Sequence, residues 1–414
     1  MTGEDAGGGT REDKGGHEPL RVIDNRDDYL DAVRQVAAGT GPVAIDAERA
    51  SGYRYSQRAY LIQLYRDGAG TFLFDPPAIG DFSELADVIR DEEWVLHAAS
   101  QDLACLREVG LEPNRIFDTE LGARLAGLPR VGLGAVVEEL LGIKLAKEHS
   151  AADWSTRPLP ESWLVYAALD VQLLVRLRAE VAALLVEAGK KELAEQEFDA
   201  VRTKEPKPVV SEPWRRLSGM HALRTPRSLA VARALWQARD EYAQEIDTAS
   251  GRLLPDASIV AAAKALPRTR GELMKIKEFT GRASRTQLPR WLAAIEEGMA
   301  AEDLPPLRVP GDSIPPARSW SDRNPDADRR LRAAKAQITS LSDRVAIPVE
   351  NVLTPELLRR VAWAPPQPIT TESVGEALAG GGARPWQIDA TAQLIADAFV
   401  EVDQSADTAQ SDDS

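Results

Sequence analysis

The chain has 414 residues, with 65 Asp and Glu against 50 Lys and Arg, giving a formal charge of −15. This length suits two or three domains of roughly 100–200 residues each. The acidic balance argues against a passive coat for nucleic acid, though not against an enzyme with a local basic surface. One Cys excludes a disulfide framework and a Cys-based zinc site, and 43% hydrophobic residues with nine Trp exclude a wholly disordered chain.

The N-terminal stretch MTGEDAGGGTREDKGGHEPL is Gly-rich and charged, with no apolar core, so it reads as a tail over 1–18 and not as a signal peptide. No run approaches the roughly 18 apolar residues of a membrane span, and the expected location is cytoplasmic. The strand pattern begins at PVAIDAE (42–48) and continues with AYLIQLYR (59–66) and GTFLFDP (70–76), an antiparallel meander turning at RDGAG. FSELADVIRDE is an amphipathic helix, and WVLHA (94–98) is a fourth strand. SQDLACLREVG has Ser100 as helix N-cap and Gly110 as C-cap. After RIFDTELGARLAG the pattern stays helical through residue 202, apart from turns at LPRVG and WSTRPLP. Strands first and helices around them predict an α/β domain with a mixed sheet.

Pro-rich EPKPVVSEPW (205–214) and LPPLRVPGDSIPPARSW (304–320) read as linkers. Charge divides at the same places: −14 over 1–213, +6 over 214–300 and −7 over 301–414. The second and third blocks are helical, and their shared pattern of helices and Pro-marked turns suggests a diverged duplication. Residues 214–300 show no strand pattern, and VDQSADTAQSDDS reads as a second polar tail.

The carboxylates carry the chemistry. His17, His97, His149 and His221 are scattered without metal-ligand spacing, so a bound metal would need carboxylates, which favours Mg²⁺ or Mn²⁺. Asp46 and Glu48 share one strand face, where adjacent like charges suit either a divalent cation or a strand end open to water. Asp102 sits in the first turn of a helix, where the helix dipole alone would favour it. Tyr166 and Asp170 stand at i and i+4 of a helix read as mostly buried through Leu164, Val165, Leu169, Leu173, Leu174 and Leu177. An ionised Asp170 there is costly unless paired, so it is a functional carboxylate, a hydrogen-bond partner of the phenol, or at a solvent-facing seam.

Several other residues have plainer readings. His97 reads as a satisfied core His, Cys105 as core, and Asp118 as a structural hydrogen-bond acceptor. Trp154 and Arg157 stay open between substrate contact and packing.

Taken together, DAE (46–48), HAASQD (97–102) and YAALD (166–170) resemble the three motifs of DEDD-type 3′→5′ exonucleases, with the Tyr of the DEDDy branch. AYLIQLYR, FDTELGARLAG and DWSTRPLPESWLVYAALDV are similar to ribonuclease D, over about residues 20–200. WRRLSGMHALRTPRSLAVARALWQARDEYAQEID, followed by PRTRGELMKIKEFTGRASRTQ, resembles an HRDC domain. There the Gly common after the ELxxI isoleucine is replaced by Glu278, and the next Gly is Gly281. SWSDRNPDADRRLRAAKAQITSLSDRVAI (319–347) resembles a more diverged second HRDC-like unit.

The resemblance implies an RNase H-like αβα exonuclease domain at 19–204 and a linker at 205–213. An HRDC domain at 214–302 and a linker at 303–318 follow. An HRDC-like domain at 319–402 and an acidic tail at 403–414 complete the chain. It implies two Mg²⁺ (or Mn²⁺) ions held by Asp46, Glu48, Asp102 and Asp170. Asp46 would bridge both, Glu48 and Asp170 would hold the ion binding the attacking water, and Asp102 would serve the leaving-group ion. Tyr166 would orient the water. Arg215, Arg216, Arg224, Arg227, Lys275, Lys277, Arg282 and Arg285 could contact phosphates or simply solvate the helices. The expected substrates are RNAs with a free 3′ end, tRNA precursors among them, cut to nucleoside 5′-monophosphates. Single-stranded DNA, in a repair exonuclease, is the alternative substrate, and a non-catalytic RNA-binding scaffold is the rival from another class.

Overall fold

The computed structural model of the protein describes residues 20–145, 152–205, 211–279, 281–308 and 314–412. The tail expected over 1–18, His17 and His149 lie outside the described residues.

Six strands form one mixed sheet in the order β1-β4-β3-β2-β5-β6. They are β1 Val22–Ile23, β2 Thr40–Arg49, β3 Ala59–Asp67, β4 Gly70–Phe74, β5 Glu93–Leu96 and β6 Arg115–Asp118. The expected meander is present, since β2 pairs antiparallel with β3 and β3 with β4. β5 then lies parallel to β2, and β6 parallel to β5. β2 is therefore interior, and apolar residues cover both of its faces at Val43, Ala44 and Ile45. Parallel neighbours need helical crossovers that cover the sheet, which is why this strand reads as a continuous apolar run.

β1 and β6 are additions to the expected elements. β6 spans four residues and ends at Asp118, which caps the next helix, so no alternating pattern has room to develop. Ser100 is not the N-cap expected for its helix. Residues Ala99–Gln101 form a 3₁₀ turn, and the α-helix Leu103–Glu108 begins after Asp102. Asp118 supplies the missing cap from another element, accepting the Ala98 and Ala99 N–H groups at 3.0 and 2.8 Å.

Among the described residues from 211 onward there is no strand. The middle block has its own core, in which Trp214, Leu235, Ile259, Phe279 and Trp291 pack together. The last block instead shares a continuous core with the sheet domain, running from Trp94 and Phe198 to Trp320, Ile338 and Phe399. Its final helix, Pro385–Asp412, continues into the stretch expected as a polar tail. Arg330 grips Asp403 there through two bonds of 2.8 and 2.9 Å, fixing that turn of helix to the block.

The join between the last block and the sheet domain centres on Glu197, which is 5% exposed. It accepts two bonds from Arg384, at 2.6 and 2.7 Å, and one from the Trp386 indole at 2.7 Å. Removing one partner of a buried pair strands the other, a cost of about 3–5 kcal/mol for a fully buried pair. Arg384 keeps some access to water, so Glu197→Ala is expected to lower stability by about 3 kcal/mol, read by urea denaturation.

Candidate active site

The site is built where three chain segments converge on the carboxyl end of β2. Asp46 and Glu48 alternate with the buried Ala47 and face one side of the sheet. Strict alternation would send Arg49 to the other side. The pairing with β3 shifts register between Glu48 and Arg49, and Arg49 joins Asp46 and Glu48 in lining the same cavity.

Asp102 arrives from the 3₁₀ turn after β5. Ala98 there takes a left-handed conformation (φ 63°), held by the Asp118 carboxylate. Asp118 also caps the helix Thr119–Ala126 through the Glu120 and Leu121 N–H groups, so it is the acceptor the sequence suggested. Tyr166 and Asp170 come from the helix Glu161–Gln172, and the phenol hydrogen-bonds the Asp170 carboxylate. Leu164, Ala167, Ala168 and Val171 seat this helix on the domain. Val165 and Leu169, expected in its buried face, are instead exposed, at 45% and 38%. The helix lies at the cavity edge, so only one flank meets the core.

Together these segments enclose a cavity of about 500 Å³. Carboxylate oxygens of Asp46, Glu48 and Asp170 all lie within 4.8 Å of one another. Asp102 lies next to Asp46, whose charge acts on it, and faces Arg49, whose Nη2 is 3.8 Å from its Oδ1. All the expected acids and Tyr166 thus meet at one place, with Asp102 beside the tight trio.

Crowding of like charges in a partly dry cavity resists ionisation. Burial, then repulsion from Asp46, pushes Glu48 and Asp102 up to about 9. Burial raises Asp46, and burial with Asp46's charge raises Asp170 to about 7. The Tyr166 phenol is raised by burial and by the Asp170 and Glu48 charges, so it stays protonated at neutral pH. A set of hard oxygen donors held together against repulsion is the donor chemistry of a divalent cation.

The remaining expectations divide. His97 bonds Thr119 through Nδ1 at 2.9 Å and has the Val131 backbone beside it, while its buried Nε2 makes no geometrically good hydrogen bond among the described residues and the ring borders the cavity. Burial pulls its pKa down to about 4, which keeps the ring neutral. Cys105 is buried, and burial raises its thiol to about 12, consistent with core and not a nucleophile. Trp154 is fully buried, and Arg157 ties its loop to Asp75 at 2.5 Å and to the Tyr60 carbonyl at 2.8 Å, so both serve packing.

Of the basic residues, Arg215 is committed to Glu212 at 2.7 Å, the Pro306 carbonyl and the Trp214 ring. Arg227 bonds the Gly298 and Ala301 carbonyls. Arg216, Arg224, Lys275, Lys277, Arg282 and Arg285 are exposed, outside the cavity.

Sequence reasoning missed Arg49, although it directly follows the DAE string, because only the register shift turns it inward. It also missed Gln63, opposite Asp46 across the β2–β3 pair, which is fully buried with neither amide atom bonded among the described residues. A polar residue inside the apolar run AYLIQLYR was the available signal.

A family model described as 3′-5′ exonuclease matches residues 20–185, and an HRDC domain model matches 228–295. A model described as 3′ to 5′ exonuclease C-terminal domain matches 313–399, the block expected as a second HRDC-like unit. Ribonuclease D of Escherichia coli (strain K12) is 30% identical over 330 residues, covering 78% of this chain and 85% of the relative. A crystal structure of a protein from Bifidobacterium adolescentis is 37% identical, with a TM-score of 0.84, and covers 92% of this chain and 97% of that one. The crystal structure of Escherichia coli RNase D, described as an exoribonuclease involved in structured RNA processing, is 27% identical with a TM-score of 0.65, covering 87% of this chain and 98% of that one. The chain belongs to the ribonuclease D family.

Proposed function

We propose that this protein is a divalent-metal-dependent 3′→5′ exoribonuclease that trims structured RNAs with 3′ extensions, tRNA precursors among them, to nucleoside 5′-monophosphates. The observation that carries the reading is the convergence of Asp46, Glu48, Asp102, Asp170 and Tyr166 on one cavity in a chain of this family. Bound divalent cations supply an activated water and charge relief on the phosphate. Asp46, Glu48 and Asp170 would hold one Mg²⁺ or Mn²⁺, and Asp102 with Asp46 a second.

Tyr166 acts through its hydroxyl. It already donates to Asp170 and faces Glu48's charge, and its raised pKa keeps it protonated, leaving its oxygen to accept a hydrogen bond that orients the attacking water without taking its proton. Arg49, beside Asp102, offsets part of the cluster's charge where a phosphate must enter. Arg216, Lys275, Lys277 and Arg282 would add phosphate contacts away from the chemistry, and Arg215 would act indirectly by shaping that surface. Intact acids and phenol favour an enzyme over a relic scaffold.

Asp46→Asn and Asp170→Asn are each expected to cut mononucleotide release from a 3′-labelled RNA to below about one-thousandth of wild type, with an unchanged circular dichroism spectrum. Tyr166→Phe should keep Mn²⁺ binding and lose about 100-fold in rate. Parallel digestion of matched single-stranded RNA and DNA separates the exoribonuclease from a DNA-repair exonuclease.

The raised carboxyls also set a pH dependence. Unfolded Asp and Glu ionise near pH 4, whereas Asp170 releases its proton near 7 and Glu48 and Asp102 near 9. Between these values the metal-free fold binds more protons than the unfolded chain, so its stability falls as pH rises. A cation removes that penalty. The rise in melting temperature on adding Mn²⁺ is expected to be larger at about pH 8.5 than at about pH 6, read by calorimetry.

A further inference from the structure

The nine residues between β2 and β3, 50–58, leave the catalytic strand directly after Arg49 and return at Ala59. Ser51, Gly52 and Tyr53 line the carboxylate cavity. A loop of this kind is ordinarily the least restrained part of a site. Here the middle helical block holds it.

The restraint is made where the block's long helix, Pro226–Glu245, ends and its chain turns. Asp247 accepts the Ser56 N–H at 2.9 Å through one oxygen and the Tyr60 hydroxyl at 3.0 Å through the other, with Arg58 3.6 Å away. The Ala249 N–H donates to the Tyr53 carbonyl at 2.9 Å. Arg252 donates from Nε to the Gly52 carbonyl at 2.6 Å, and its guanidinium lies 4.0 Å over the Tyr53 ring. The Tyr55 hydroxyl donates to Asp240 at 3.1 Å. Three loop backbone groups therefore bond this block, two of them on residues that line the cavity. Asp247 does this from a left-handed backbone (φ 44°), which Asp and Asn tolerate better than other non-Gly residues.

We propose that Asp247 and Arg252 are positioning residues for catalysis, through which the middle block fixes the cavity wall at Gly52 and Tyr53 and so acts on turnover as well as on RNA capture. This rests on the exonuclease reading of the cavity. A block that only captured RNA would have no need to bond the backbone of the wall. Fixing the wall fixes the space into which the 3′ nucleotide must fit, and small misplacements there are costly to rate.

The test uses the full-length chain carrying Asp247→Ala, Asp247→Asn or Arg252→Ala. Single-turnover mononucleotide release is measured across RNA concentration, and amide hydrogen exchange is followed over residues 50–58 without metal. Asp247→Ala is expected to lower the rate at saturating RNA about 10- to 100-fold with little change in half-saturation. It should also speed exchange in the loop. Asp247→Asn keeps an acceptor for the Ser56 N–H and the tolerated backbone, and should recover most of the rate. Arg252→Ala should show both effects and carries the comparison if Asp247→Ala does not fold. A wild-type saturating rate with only a raised half-saturation, or unchanged exchange over 50–58, would overturn the proposal. If the wild-type protein releases no mononucleotide, the exonuclease reading fails instead, and the exchange data still decide whether the block holds the loop.

Discussion

Four carboxylates share one cavity, and the fold has to keep them there against their own repulsion. An interior strand flanked on both sides brings Asp46 and Glu48 to a fixed face. A turn locked by Asp118 delivers Asp102, and a helix delivers Asp170 with Tyr166. Arg49 offsets part of that charge beside Asp102, whereas the Asp118 carboxylate that locks the turn adds to it. The strain shows as raised carboxyl pKa values, and a divalent cation is the partner that relieves it.

The two accessory blocks serve this arrangement differently. The last block extends the core of the sheet domain and is fastened at Glu197. The middle block keeps its own core and touches the sheet domain through polar contacts at the loop beside the cavity. An interface of hydrogen bonds and one ion pair is easier to loosen than a shared apolar core. The basic middle block thus stands next to the chemistry, while acid is concentrated where cations offset it.

Much of this was legible in the sequence. The meander could be read because its strands are long, apolar and punctuated by Gly turns. Asp46, Glu48, Asp102, Tyr166 and Asp170 could be read from their motifs, and the structure gathers them. β6 was not legible, because four residues ending in a helix cap leave no period to detect. Arg49 was hidden by a one-residue register shift that reverses the direction a strand pattern assigns. Val165 and Leu169 misled because an all-apolar helix face does not reveal which flank borders a cavity. The hold on residues 50–58 was invisible for another reason: it joins backbone groups to residues almost 200 positions later, and backbone groups leave no trace in side-chain identity.

The proposed chemistry depends most on the carboxylates being a metal centre. Anomalous diffraction from crystals soaked in Mn²⁺ tests this directly. A strong peak is expected among Asp46, Glu48 and Asp170 and a second beside Asp102, both lost in Asp46→Asn. Ordered carboxylates with no anomalous peak in the cavity, at Mn²⁺ concentrations that label other sites, would contradict it.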